Sequence, residues 1–384
     1  MPSPLIPSLL ERIRRTGPLT VAELVDQALY HEQLGYYSRA GQRSGRDGDF
    51  ITSVDVGPLF GELLAAQFAE MASILSGGGP AGAERPAPFD LVEAAAGNGR
   101  LARDLLDAAA RRHPEWYRAT RLHLVERSGR ARAGQPDTLG PHAARLASSS
   151  ADLPDGVHGV VYANELLDAL APHLVVMRED GLREVHVDAD KDRLRTVELR
   201  PSSARIAEYL ERVGARLEPG WHAEVNLQAA DWVRRAGTRL RRGFLVLVDY
   251  GFEAPALYSA ARAAGTLTTC RRHAAEGRED GPGWLLEPGE RDITSHVDWT
   301  GVRLAAQDAG LRLLGLVDQT YFLLGLARTA VADGDASPEA ARRRLALKTL
   351  LLPGGMGSTH KVAIFAKGVD AAGLQGLSFG GRVT

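Results

Sequence analysis

The stretch that decides the fold is LVEAAAGNGRLARDLL, which covers residues 91–106. An apolar strand is predicted over Phe89–Ala95 and a helix over Leu101–Arg112, with a Gly-Asn-Gly turn between them at Gly97–Gly99. Glycine lets the backbone turn tightly and approach a ligand closely, because it has no Cβ atom. A short turn of this kind is, on its own, more often a plain strand-to-helix connection than a binding site. Its meaning therefore depends on the sequence around it.

Outside this stretch the chain alternates between predicted strands and predicted helices. Further strands are predicted at Arg121–Val125, Gly159–Ala163, Phe244–Val248, Leu311–Val317 and Val362–Ala366. Such alternation is typical of an α/β fold whose parallel sheet carries helices on both faces. The expected fold class is therefore a Rossmann-like α/β sheet.

Two segments depart from this alternation. Residues His173–Leu199 alternate apolar and polar side chains around the turn sequences Asp180-Gly181 and Asp190-Lys191, which predicts a small inserted antiparallel meander. Two helices are predicted to follow it, at Arg205–Leu217 and Leu227–Leu240. The N-terminal region is predicted to be helical, with an amphipathic start instead of a secretory signal. Its helices are predicted at Val21–His31 and Leu59–Leu75, before a linker at Gly77–Pro88.

The composition is that of an ordinary globular protein. Hydrophobic residues make up 44% of the 384 residues, which is enough for a large core. The formal net charge is -2, which gives no attraction to nucleic acid or to an anionic membrane surface. Cys270 is the single cysteine, so an intrachain disulfide and a thiolate metal cluster are excluded and the reducing cytoplasm is the expected location. None of these features indicates an oligomeric state.

Two carboxylates near the glycine turn decide which ligand it suits. Glu93 lies in the strand before the turn, where it would repel the pyrophosphate of a dinucleotide. S-adenosylmethionine carries an ammonium, a sulfonium and ribose hydroxyls but no phosphate, so Glu93 favours it over NAD. Glu126 ends the next strand, where a carboxylate can accept both ribose hydroxyls of either ligand.

A third acidic segment, VVYANELLDALAPH (160–173), follows a buried strand. If a helix begins at Asn164, then Glu165 and Asp168 lie at its N-terminus, where carboxylates commonly act as caps. Ligands of open α/β sheets bind beyond the carboxyl ends of the strands, and two carboxylates there can instead grip a guanidinium. The residues alone favour these two interpretations about equally.

With these elements in view, the chain resembles the MidA-like methyltransferases, a family that includes a mitochondrial protein arginine methyltransferase. The resemblance runs from Leu9 to Lys367. Its segments are GPLTVAELVDQALYHEQLGYY (17–37), GDFITS (48–53), LFGEL (59–63), the turn at 93–99, ANELLDAL (163–170), LVDYG (247–251), PGERDITSHVDW (288–299) and LLPGGMGSTHKV (351–362). It implies a seven-stranded class I methyltransferase sheet with an N-terminal helical part over the cofactor.

The resemblance also implies the domain organisation. A helical region is expected at 1–85, covering the cofactor site, and the first part of the S-adenosylmethionine-binding domain at 86–172. The inserted meander and its helices are expected at 173–240, the remainder of the binding domain with the substrate loops at 241–370, and a tail at 371–384.

The resemblance also implies roles for individual residues. The expected cofactor contacts are Glu93, Gly97, Asn98 and Gly99 near the methionine end, Glu126 at the ribose, Asp152 on the adenine side, and Asn164. Glu165 and Asp168 are expected to be catalytic, between cofactor and substrate. Expected substrate contacts are Asp49, Thr52, Tyr250 and His296. No metal site is expected, because no cluster has the spacing of metal ligands.

The chain departs from the family pattern at four places. It has Ala95-Ala96 where the family carries Gly-Pro, and Ala95 is unfavourable if the backbone there needs a positive φ. Val54-Asp55 replaces Pro-Glu, Arg291 replaces a glutamine, and His360 replaces an aromatic residue. These changes bear on the substrate more than on the cofactor.

The segment RDITSHVDW (291–299) offers both structural and functional interpretations. Asp292 or Thr294 is expected to cap a helix over Val297–Ala309, while His296 is a candidate base or substrate contact. Tyr36 and Tyr37 are expected to pack in the core, with a lesser chance of lining a substrate channel. His273 and Ala275–Gly283 are expected to form a loop that closes over the site.

The reaction expected from these features is in-line transfer of the sulfonium methyl group to an arginine nitrogen of a protein partner. Glu165 and Asp168 would orient the guanidinium, and the rest of the catalysis would come from proximity. Two alternatives stay open: methylation of a small molecule or peptide, and an assembly factor that binds the cofactor without transfer. Glu93 argues against an NAD-dependent oxidoreductase.

Overall fold

The computed structural model describes residues 3–38, 52–77, 88–271, 274–275, 282–327, 337–352, 356–370 and 373–380. The described residues form two compact units. The glycine-turn unit comprises the described residues within Thr52–Leu166, Arg234–Tyr250 and Ala306–Thr384. The meander unit comprises the described residues within Met1–Ile51, Leu167–Val233 and Gly251–Ala305. The domain boundaries expected from the sequence stay a prediction.

The strands and helices are numbered in chain order. The strands are β1 (Leu19–Thr20), β2 (Phe89–Ala94), β3 (Thr120–Val125), β4 (Leu146–Ser150), β5 (Val157–Asn164), β6 (His173–Arg178), β7 (Gly181–Asp190), β8 (Arg193–Leu199), β9 (His222–Val225), β10 (Leu240–Phe252), β11 (Thr268–Arg271), β12 (Ala274–Ala275), β13 (Asp292–Thr294), β14 (Val297–Asp298), β15 (Arg312–Asp318) and β16 (His360–Lys367).

The α-helices are α1 (Ile6–Thr16), α2 (Val21–Tyr30), α3 (Leu59–Leu75), α4 (Arg100–Arg112), α5 (Pro114–Ala119), α6 (Gly129–Leu139), α7 (Ala204–Arg212), α8 (Leu227–Arg239), α9 (Ala254–Leu257), α10 (Gly283–Leu286), α11 (Trp299–Asp308), α12 (Gln319–Ala327), α13 (Pro338–Leu351) and α14 (Met356–Thr359). Short 3-10 helices lie at Tyr36–Ser38, Ser53–Val56, Gly140–Arg145, Ala260–Arg262 and Gln375–Leu377.

The glycine-turn unit is built on a sheet whose strands follow the order β15-β16-β10-β5-β2-β3-β4. The strands from β10 to β4 are parallel to their neighbours, and β16 is antiparallel to both β10 and β15. Ala94 at the end of β2 lies opposite Val125 of β3 and Ala163 of β5. Three strands therefore end side by side at the glycine turn, and the expected Rossmann-like sheet is confirmed.

The core of this unit explains why β2 has no solvent-exposed face. All six residues of β2 are buried, as expected of a central parallel strand that is covered on both sides. The 17-residue helix α3 packs against α4 in the same hydrophobic cluster. Its Phe68 ring lies 5.1 Å from the ring of Tyr162 in β5.

The meander unit has its own antiparallel sheet, in the order β1-β7-β6-β9, with β8 paired to β7. Arg178 pairs with Gly181 across the first turn, and Asp190 pairs with Arg193 across the second. The predicted meander and both of its turns are therefore confirmed. Among the described helices of the chain, none is long and apolar enough to cross a membrane.

In the region from residue 164 onward, two sequence-based expectations are wrong and one predicted helix begins two residues late. No helix begins at Asn164, because the chain continues from β5 into a bend and a turn. The helix expected over Val297–Ala309 is α11, which begins at Trp299 after the short strand β14. Its cap is Asp298, whose carboxylate accepts hydrogen bonds from the backbone N–H groups of residues 300 and 301 at 2.9 and 3.1 Å. Asp292 and Thr294 lie in β13 instead.

Candidate functional site

The glycine turn has a left-handed backbone at three positions. The φ angles of Ala95, Gly97 and Gly99 are +56°, +50° and +86°. Glycine adopts this conformation freely, whereas an L-residue pays roughly 1–2 kcal/mol for it. The concern about Ala95 is therefore justified, because alanine occupies a position whose conformation favours glycine. Ala95 and Asn98 are both exposed, so this side of the turn is accessible.

Glu126 is joined to the turn by backbone hydrogen bonds. Its two carboxylate oxygens accept from the N–H of Gly97 at 2.9 Å and from the N–H of Ser128 at 2.8 Å. The group is thus held at the carboxyl end of β3, beside the end of β2. A fixed carboxylate at this place suits the vicinal hydroxyls of a ribose, which is the chemistry expected of it.

A buried glutamine supports the other side of the same turn. Gln135 of α6 is fully buried, and its Nε2 donates to the carbonyl oxygen of Gly97 at 2.9 Å. Its Oε1 accepts from the Ser149 hydroxyl of β4 at 2.7 Å. This residue could not be predicted, because nothing in the pattern of α6 distinguishes Gln135 from a surface glutamine.

Glu93 lies beneath the turn and is only 4% exposed. Its carboxyl group accepts from the Tyr162 hydroxyl at 2.9 Å and from the backbone N–H of Ala102 in α4. Burial raises the pKa of Glu93 to about 8, and the nearby Glu126 charge adds to this rise, while the two hydrogen bonds oppose it. The group therefore carries a proton at neutral pH. Its contact with the cofactor stays a prediction.

Thr52 belongs to a cluster of polar side chains that connects the 3-10 helix Ser53–Val56 to α4. Asp55 accepts hydrogen bonds from the N–H and the hydroxyl of Thr52, both at 3.0 Å, and its side chain is 5% exposed. Arg100, the first residue of α4, lies 3.1 Å from the same carboxylate. Asp55, which stands where the family resemblance leads us to expect glutamate, thus forms an ion pair with Arg100. Asp152 lies just beyond β4 and is exposed.

Glu165 occupies the end of β5 with an unusual backbone. Its φ is +51°, which is uncommon for a residue with a side chain. Its N–H donates to the carbonyl of Val248 in β10 at 2.8 Å, and the N–H of Leu166 donates to Asp249 at 3.2 Å. These long-range hydrogen bonds give partners to backbone N–H groups that would have none at the start of a helix. The helix-capping interpretation of Glu165 is therefore wrong, and strain of this kind is often found at functional sites.

The Glu165 carboxylate is surrounded by polar groups of the same unit. Its Oε1 accepts from the Asn164 amide nitrogen at 3.2 Å and lies 3.6 Å from Nε2 of His360 in β16. The His360 ring lies 5.4 Å from that of Tyr250, its register partner in β10. The structure thus brings together three of the predicted residues, Asn164, Glu165 and Tyr250. It adds His360, which the sequence marked only as a departure.

Asp168 lies in the meander unit, is 8% exposed, and accepts from the Thr294 hydroxyl at 2.8 Å. The Tyr37 hydroxyl donates to Asp292 at 2.9 Å. Burial and the charges of Asp292 and Asp168 raise the pKa of Tyr37 well above its usual range. Tyr36 is fully buried, as expected for a core residue. The catalytic role of Asp168 stays a prediction, but no helix follows it for it to cap.

His296 also lies in the meander unit, with its ring 5.3 Å from that of Phe252. Burial, with a smaller contribution from the Arg262 charge, lowers the pKa of His296 to about 4. A histidine of such low basicity is a poor general base at neutral pH, which disfavours that role for it. A substrate contact by His296 stays a prediction.

Some expected features lie outside the described residues. These are Asp49, His273, residues 276–281 of the expected closing loop, and residues 78–87 of the expected linker. Within the part of the chain that the structure describes, no group of three or more His, Cys, Asp or Glu side chains is placed to hold a metal ion.

Comparison with known proteins identifies the family. Residues 63–317 match the family model described as "Putative S-adenosyl-L-methionine-dependent methyltransferase". A methyltransferase-like protein from Burkholderia thailandensis, crystallised with S-adenosyl-homocysteine, is 31% identical with a TM-score of 0.84; the match covers 98% of this chain and 95% of that one. The fold and the cofactor class are therefore shared with a solved relative.

Two curated relatives are similar over most of their length. The mitochondrial protein arginine methyltransferase NDUFAF7 of Mus musculus is 29% identical over 89% of this chain and 79% of its own. Its homolog in Drosophila melanogaster is 29% identical over 95% of this chain and 85% of its own. Together with the sheet order and the glycine turn, these matches show that the chain belongs to the family of S-adenosyl-L-methionine-dependent methyltransferases.

Proposed function

We propose that this methyltransferase acts on an arginine side chain of a protein partner. The observation that carries the proposal is the Glu165 carboxylate, held with a φ of +51° at the end of β5 and 13% exposed. One of its oxygens faces Asn164 and His360, and no partner for the other occurs among the described residues. A guanidinium presents several N–H donors in one plane, which suits a carboxylate with an oxygen to spare.

The names of the relatives support the same substrate class, since two of them are called protein arginine methyltransferases. When bound, S-adenosylmethionine supplies an electrophilic methyl group on sulfur. Arginine is a weak nucleophile because its guanidinium stays protonated. Glu165 would orient the guanidinium and draw its positive charge away from the attacking nitrogen, and Asp168 is proposed as a second carboxylate. Asp49, Thr52, Tyr250 and His296 are proposed as substrate contacts.

The residues proposed to hold the cofactor follow the geometry of the turn. Glu126 would accept the ribose hydroxyls, and Asp152 would lie on the adenine side. Glu93, Gly97, Asn98, Gly99 and Asn164 would surround the methionine end. None of these side chains is cationic, which suits a ligand with an ammonium and a sulfonium.

The test is incubation of the purified protein with S-adenosylmethionine labelled in its methyl group and with lysate of the source cells. Label in the protein fraction, released as methylarginine on hydrolysis, supports the proposal. Label in the small-molecule fraction supports a small-molecule substrate. Binding without transfer supports the assembly-factor alternative.

The cytoplasm stays the proposed location, on the strength of the single cysteine. The curated relatives described above are mitochondrial proteins by name and lend this location no support. Fractionation of the source cells, followed by immunodetection of the protein, tests it.

A further inference from the structure

A histidine lies directly behind the proposed catalytic carboxylate. Nε2 of His360 is 3.6 Å from Oε1 of Glu165, and the two side chains are 9% and 13% exposed. On the opposite side of the ring, Nδ1 lies 3.1 Å from the hydroxyl of Thr359, which is an exposed residue. The imidazole therefore spans the distance between the carboxylate and the surface.

Two buried atoms at this place lack the hydrogen bonds that buried polar atoms normally have. They are Nε2 of His360 and Oδ1 of Asn164, and neither has a hydrogen-bond partner among the described residues. The gap of 3.6 Å between Nε2 and Oε1 is slightly longer than a hydrogen bond. A small movement of either side chain, or a shared proton, closes it.

Methylation of arginine releases a proton that must leave the site. A guanidinium and a sulfonium, each of charge +1, give a methylguanidinium of charge +1, a neutral thioether and one proton. The new N–C bond forms as the S–C bond breaks, and the lost N–H bond leaves its electron pair on nitrogen. Glu165, the carboxylate proposed to hold the guanidinium, is the first group able to receive that proton.

We infer that His360 acts through Glu165: Nε2 takes up the proton that Glu165 receives, and Nδ1 passes its own proton to the hydroxyl of Thr359, which releases one to water at the surface. His360 is thus a positioning residue that returns Glu165 to its charged form for the next turnover. The inference rests on the proposed function, because the proton originates on the substrate guanidinium. Before the next turnover the imidazole must regain its first tautomer, either by a flip of the ring or by exchange of protons with water.

Three variants test the inference in the labelled-methyl assay. His360→Phe keeps a ring of similar size and should lower the turnover rate by about 100-fold, the lower part of the range for general acid–base catalysis. His360→Ala should be equally slow and should recover at least tenfold when free imidazole is added, which a merely structural role does not predict. His113→Gln, a control at the end of α4, should match the wild-type rate. All three should bind S-adenosyl-homocysteine within about twofold of wild type.

A second readout needs no turnover. The imidazole 15N signals of His360, assigned by their loss in His360→Phe, should shift when Glu165 is replaced in Glu165→Gln, while those of His113 should not. Unmoved His360 signals overturn the inference, even if the His360 variants fold poorly. If wild type labels arginine and His360→Phe does so at an undiminished rate, the inference about His360 is overturned while the proposed function stands. Failure of the wild type to label arginine overturns both.

Discussion

At the scale of single residues, Glu165 is where binding and catalysis can be separated. Glu165→Gln keeps the size of the side chain but removes the charge that would hold a guanidinium. We expect methyl transfer to fall by about 100-fold or more, since orientation and charge stabilisation are both lost. Affinity for S-adenosyl-homocysteine, measured by calorimetry, should barely change. Glu115→Gln on exposed α5 is the matched control, and a variant with near-normal transfer would remove Glu165 from the catalytic residues.

Ala95 gives a prediction about stability. Because its φ is +56°, Ala95→Gly relieves a strain of roughly 1–2 kcal/mol, partly offset by about 0.4–1 kcal/mol of chain entropy. We expect a small rise in the melting temperature and little change in cofactor affinity. Ala96→Gly, at a buried position without a positive φ, should lower the melting temperature instead. A large gain in affinity from Ala95→Gly would indicate a degraded cofactor site.

Glu93 gives a prediction about pH. Its pKa is raised from 4.5 to about 8, so the folded state binds a proton that the unfolded state releases between these values. Stability should therefore fall as pH rises through this window, by up to about 1.4 kcal/mol per pH unit. Glu93→Gln should flatten the decline, which denaturant unfolding at pH 5, 7 and 9 would reveal. Equal pH dependence in both proteins would contradict the protonated state of Glu93.

At the scale of secondary-structure elements, Gln135 connects α6 and β4 to the glycine turn. Gln135→Met keeps the volume but leaves the Gly97 carbonyl and the Ser149 hydroxyl without their partner. We expect a loss of about 1–3 kcal/mol in the free energy of unfolding, together with weaker binding of S-adenosyl-homocysteine. Gln307→Met, on the exposed end of α11, should change neither quantity. An unaffected affinity for the Gln135 variant would mean that the turn is rigid without this support.

The elements that could be predicted are those whose signal is local. Helix α3 coincides with its prediction at Leu59–Leu75, and the meander follows from its alternation and turns. Strand β4 was missed because its sequence, LASSS, lacks the apolar run of a buried strand. The helix expected at Asn164 was wrong because bonds to Val248 and Asp249, more than 80 residues away, decide the backbone there.

The same limit applies to the candidate site. The sequence predicted that Gly97 and Glu126 would lie at neighbouring strand ends, because parallel strands present their carboxyl ends at one edge. It could not place His360 beside Glu165, since the two are 195 residues apart in the chain and no pattern links them. Side-chain partners across such distances depend on strand order, which here puts β16 next to β10 and β10 next to β5.

At the scale of the whole molecule, the family sets the chemistry and the site suggests the substrate. A net charge of -2 is too small to attract a charged partner over a long distance. Recognition of a partner must therefore come from local groups. A protein arginine methyltransferase needs a carboxylate that a long side chain can reach, and the partly exposed Glu165 meets that requirement.

The most direct test of this claim is mass spectrometry of proteins from source-cell lysate incubated with the purified enzyme and S-adenosylmethionine carrying a deuterated methyl group. We expect tryptic peptides whose arginine carries the deuterated methyl group. They should form with wild type and be strongly reduced with Glu165→Gln at equal cofactor occupancy. Deuterated methyl groups confined to small molecules or to residues other than arginine would contradict it, as would equal arginine labelling by the two proteins.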